Sequence, residues 1–223
     1  GNYLSGGVVK VTTLSNNVQA HGNLGGVTNS ASKFIMTNGA ELQTLKAVTN
    51  GSQIRFDGAE GGVINNQADF TQQALFSGTV LTKRGSGWLK TSASGTALSR
   101  MIIEAGTVQN GSGNAAKVVE IRNGSLVDNV STYNEINIPE GGVASWTTGN
   151  RCTYTNKLTG TGSITVYCAT EKGNGWYATR TPIQLNLLDF AGTFIPQATY
   201  AESSVFTFDT SNGMPNGTMN IPE

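Results

Sequence analysis

Apolar and polar residues alternate along this chain in short bursts, and the spacing of a helix hardly occurs. Val9 and Val11 flank Lys10, and Ile54 and Phe56 flank Arg55. Runs of this kind, about three to five residues long and closed by glycine or Asn-Gly, predict short strands joined by tight turns. One plan recurs at 103–110 (IEAGTVQN), 121–129 (IRNGSLVDN) and 138–145 (IPEGGVAS). Each copy has an apolar residue, two variable residues, a glycine, one more residue, then Val or Leu. Gly106, Gly124 and Gly141 recur at a nearly constant step, and a regular step of this size points to stacked β-repeats.

That period predicts an all-β solenoid, a single-stranded right-handed parallel β-helix with about 17–22 residues per coil. A coil of this size holds about three short strands, and glycine supplies the positive φ of its corners. Two inward ladders follow from the repeat. One is Val108, Leu126 and Val143, and the other is Ile103, Ile121 and Ile138. At roughly 20 residues and about 4.8 Å per coil, the chain would make about eleven coils. The turn signals leave an antiparallel β-sandwich as the alternative. Residues 67–76, with Ala68, Phe70, Ala74 and Leu75, are the one stretch expected to form a short helical turn.

The expected organisation is one domain over residues 1–223, with 1–49 a less regular start or cap. The last four residues, Asn220-Ile221-Pro222-Glu223, repeat Asn137-Ile138-Pro139-Glu140. This is expected to mark either a natural end or a cut through a longer chain.

The segment Leu81-Thr82-Lys83-Arg84-Gly85-Ser86-Gly87-Trp88-Leu89, followed by the strand from Ile103 to Val108, resembles the bacterial autotransporter-associated β-strand repeat. The likeness is clear over residues 77–109 and weaker at Lys157–Ile164. It implies a right-handed β-helix on a secreted or cell-surface bacterial protein, adhesin-like in role. It names an architecture and no chemistry.

Composition narrows the partners. Charged residues make up 13% of the chain, and 14 Lys and Arg balance 14 Asp and Glu. Without a basic patch or run, nucleic acid is not an expected partner. No stretch approaches the ~20 apolar residues of a membrane-spanning helix. Cys152 and Cys168 are separated by nearly one period, so a disulfide between adjacent coils is one expectation and two free thiols the other. Two cysteines with no histidine nearby do not suggest a metal site.

Catalytic chemistry finds little support. The lone histidine, His21, has no Gly-x-Ser-x-Gly elbow with it, and Gly85-Ser86-Gly87 lacks the ending of a phosphate-binding loop. Asp57, Glu60, Asp69, Glu104, Glu120 and Glu140 are scattered, so neither a catalytic residue nor a cofactor is assigned. A polysaccharide lyase or glycoside hydrolase remains the competing class, and a purely structural spacer the third. Aromatic residues give the better lead, because their faces stack on sugar rings. Trp88, Trp176, Tyr177 and Asn174 are the expected contacts for glycans or host-surface components. Trp146, Tyr154 and Tyr167 are further aromatics considered for the outside, with Trp88 and Trp146 alternatively filling corners.

Overall fold

The computed structural model describes residues 2–12, 33–91, 97–110, 115–128, 134–148, 156–168, 185–198 and 213–222. Alternation in the sequence becomes alternation in space. In the strand Gln53–Asp57, Ile54 and Phe56 are fully buried while Arg55 is exposed. The described residues form strands and no helix: β1 (Asn2–Ser5), β2 (Val8–Val11), β3 (Lys33–Thr37), β4 (Ala40–Thr44), β5 (Val48–Asn50), β6 (Gln53–Asp57), β7 (Gly62–Asn66), β8 (Phe70–Gln72), β9 (Phe76–Arg84) and β10 (Trp88–Thr91). Then follow β11 (Ala97–Ile103), β12 (Thr107–Asn110), β13 (Ala115–Ile121), β14 (Asn123–Asp128), β15 (Glu135–Ile138), β16 (Val143–Thr148), β17 (Lys157–Gly160), β18 (Ser163–Cys168), β19 (Thr193–Ala198) and β20 (Thr218–Met219).

Every pairing among these strands is parallel, and each joins one coil to the next. The fold is a β-solenoid, as the repeat predicts, and not an antiparallel sandwich. An 11-stranded sheet holds β1–β4, β6, β7, β9, β11, β13, β15 and β17, and a 9-stranded sheet stacks β5, β8, β10, β12, β14, β16, β18, β19 and β20. The second sheet therefore holds fewer layers than eleven coils require. The shortfall comes from long steps near the ends. Leu4 stacks on Met36, and Val166 stacks on Pro196, each step well over one period of the repeat.

The early coils have three strands each, β3–β5 and then β6–β8. In the next coil the first two faces merge into β9, whose start pairs with β6 and whose end pairs with β7. Gly78 makes the bend, with a φ of 110°. A side chain there would collide with the Phe56 carbonyl of the neighbouring coil. Thr79 fixes the same corner by donating to the carbonyls of Gly58 at 2.6 Å and Phe56 at 3.1 Å.

Inside the rod, identical positions of successive coils stack. Ile103 pairs with Ile121 in register, and Ile138, also fully buried, continues the ladder. In the second sheet Phe70, Leu89, Val108, Leu126 and Trp146 form one continuous row. Each such side chain contributes about 1.5–3 kcal/mol by leaving water. The expected place of Val143 in this row belongs to Trp146, and Val143 is 63% exposed. Pro139–Gly142 forms a turn, with the Gly142 N–H donating to the Pro139 carbonyl at 2.9 Å. The turn takes up extra residues, so the step from Leu126 runs past Val143 to Trp146.

The expected helical turn at 67–76 is also replaced. Phe70 stacks between Val48 and Leu89, and Gln72 lies between Asn50 and Thr91. Only an extended backbone serves both ladders. The buried Gln72 amide is satisfied by this geometry: its oxygen accepts from Asn50 Nδ2 at 2.8 Å, and its nitrogen donates to the Ser52 and Ala74 carbonyls. Thr91 and Asn110 continue the polar row, joined at 3.0 Å.

Candidate functional site

Side chains that alternate with the inward row of the second sheet form its outer face. In register along the rod axis run Trp88, Thr107, Ser125, Ser145, Thr165 and Ile195. Beside them run Thr71, Lys90, Gln109, Val127, Thr147, Tyr167 and Gln197. From Thr107 onward neither row carries a charge. Hydroxyls on adjacent coils come into contact, with Ser125 Oγ and Ser145 Oγ 2.6 Å apart.

Trp88 begins the first row and is 40% exposed. The Lys90 ammonium lies 5.6 Å from its ring centre and donates to Asp69 Oδ2 at 2.6 Å. The hydrogen bond from Lys90 holds the Asp69 carboxyl below the usual carboxylate range. Aromatic face, cation and carboxylate thus form one small polar platform. Sequence reasoning found Trp88, missed Lys90, and weighed Asp69 only as one of several scattered carboxylates. The missed signal is the alternation from Trp88 through Leu89 to Lys90, which puts the tryptophan and the lysine on one side of a strand.

The outer side of the first sheet is different. Arg84 donates to Glu104 at 2.5 Å and lies 3.6 Å from Glu41. Arg122 reaches Glu104 at 2.8 Å and Glu120 at 2.6 Å, and Arg100 also pairs with Glu120. The Glu104 hydrogen bond raises the Arg84 pKa further. Glu104 thus bridges two arginines. Asp57 is similarly held by Arg55 at 2.6 Å. Among the described residues, no group of three or more His, Cys, Asp or Glu is placed to hold a metal ion.

Lys83, from the segment that carries the surface-repeat likeness, points into the rod between Ile64 and Ile103 and is fully buried. Its ammonium donates to the carbonyls of Arg84 at 2.7 Å, Gly85 at 2.6 Å and Ala105 at 3.1 Å. Burial lowers its pKa to about 8. It closes the corner between β9 and β10 and is out of reach of any ligand.

No family model matches the chain, and no curated protein or solved structure matches it. The remaining expectations divide by position. Trp146 is fully buried and fills the second-sheet ladder, so it is not a surface aromatic. Tyr167 is half-buried on the outer face. Trp176, Tyr177, Asn174, Tyr154 and His21 lie outside the described residues. So does Cys152. Cys168 is in backbone register with Thr148 and Ala198.

Proposed function

We propose that this chain is a secreted or surface-displayed bacterial protein, adhesin-like, that binds glycans through one side of a rigid rod. The observation that carries this reading is the outer face of the second sheet, where Trp88 heads an uncharged row of Thr and Ser. Aromatic and hydroxyl groups are the chemistry that sugars stack on and hydrogen-bond to. The likeness of residues 81–89 to autotransporter-associated repeats supports the surface location. Trp176, Tyr177 and Asn174 belong to the same proposal as a second contact. The lyase or hydrolase reading has less support, because Asp57, Asp69, Glu104 and Glu120 are each held by a basic side chain. A glycan array probed with the wild type, Trp88→Ala and Trp176→Ala is the direct test. Binding that weakens in either variant supports the reading, and an array with no binding at all defeats it.

A further inference from the structure

Resting on the glycan-binding reading, we infer the ligand class and its direction: a neutral, extended polysaccharide lying parallel to the rod axis, with about one sugar over each coil. Three observations lead there.

The first is charge. On β12, β14, β16, β18 and β19 the outward positions are uncharged, running from Thr107 and Gln109 on β12 to Ile195 and Gln197 on β19. None carries a positive charge to pair with a uronate or sulfate group. Lys90, at the end of the face, is already bound to Asp69. A polyanion would lose the solvation of its charges here and gain no counter-charge. A neutral chain loses none.

The second is spacing. Neighbouring strands lie about 4.8 Å apart, close to the length that one pyranose occupies in an extended chain. Thr107, Ser125, Ser145 and Thr165 are strictly in register, so they offer one hydroxyl per coil at that interval. Across the strands the face is narrow, because each strand is short and only alternate residues point outward. A long chain therefore meets an unbroken row along the axis alone.

The third is adaptability. A hydroxyl both donates and accepts, so Ser125 and Ser145, in contact at 2.6 Å, can share a sugar hydroxyl in either sense. Trp88, in register with Thr107, supplies a stacking surface where the row begins.

The test is affinity electrophoresis of the full chain in hydroxyethyl cellulose and in polygalacturonate, with cello-oligosaccharides from dimer to hexamer as competitors. Ser145→Lys and Thr165→Lys place a charge in the row, and Ile102→Lys places one on the outer side of the first sheet. Matching unfolding midpoints establish that the variants fold. The expected result is retardation by the neutral polymer only, competition that strengthens with chain length, and binding about tenfold weaker in the two row variants. Ile102→Lys should behave as the wild type. Retardation by polygalacturonate alone, unchanged binding by both row variants, or a concentration-dependent dimer that the row variants abolish would each overturn the inference. The last outcome would make a second copy of the chain the occupant. A glycan array that shows binding while the row variants bind normally defeats the inference alone. Silence on the array and in both polymers defeats the broader reading with it.

Discussion

The two sheets of this solenoid are both parallel ladders built from the same coils, yet they differ in what they carry. Outside the first sheet, Glu41, Arg84, Glu104, Arg122, Glu120 and Arg100 form a chain of alternating charge that crosses several coils. Outside the second, from β12 on, the described positions are hydroxyls, amides and a few apolar groups. Inside, the first sheet buries an ammonium, Lys83, and the second buries an indole, Trp146. Parallel stacking tolerates both because it asks only that like positions pack well on each other. Opposite charges one coil apart attract, and neutral hydroxyls one coil apart hydrogen-bond. The difference teaches that the coil repeat sets the geometry, while each face is free to specialise.

The sharpest way to separate inside from outside on the second sheet is a pair of truncations. Trp146→Ala should cost about 3–5 kcal/mol by opening a cavity in the Leu126–Val166 row. Val143→Ala, at the start of the same strand and 63% exposed, should stay within about 0.5 kcal/mol. Urea unfolding of both variants checks this, and equal losses would mean that the register is wrong.

For the first sheet, the buried amine gives a pH signature. Its pKa falls from 10.5 in the unfolded chain to about 8 when folded. Between those values the unfolded chain holds a proton that the folded chain has released, so stability should rise with pH. The rise should reach about 3–4 kcal/mol across the window. Lys83→Met should lack it, and unfolding midpoints across that window compare the two proteins. A parallel pH response in both would place the proton elsewhere.

Smaller effects distinguish the outer faces. Glu104→Gln weakens two pairs to half-exposed arginines and should cost about 0.5–1 kcal/mol at low salt, a loss that shrinks in concentrated salt. Ser145→Ala, on the neutral face, should change stability by less than about 0.5 kcal/mol and show no salt dependence. Thermal melts at two ionic strengths test both substitutions together. A salt-sensitive Ser145→Ala would break the contrast between the faces.

The fold was open to reading because period and alternation are local properties. The even spacing of Gly106, Gly124 and Gly141 and runs such as Ile54-Arg55-Phe56 announced stacked strands, and the Ile103–Ile121–Ile138 ladder followed directly. The site was less open. Trp88 could be picked out as an aromatic, but Asp69 belongs to the preceding coil and joins it only through stacking. The neutral row is invisible in any single strand, since Thr107, Ser125, Ser145 and Thr165 form a surface only once aligned across coils.

Sequence alone thus determined the class of fold and the approximate coil length, because hydrophobic burial with a period of two constrains each strand by itself. Tertiary structure decided phase and register. Whether Val143 or Trp146 turns inward depends on how the Pro139–Gly142 turn absorbs residues, and the repeat cannot report that. The same holds for Lys83, whose inward position follows from stacking between Ile64 and Ile103. Alternation says that every second residue faces in; packing against the neighbouring coils decides which ones.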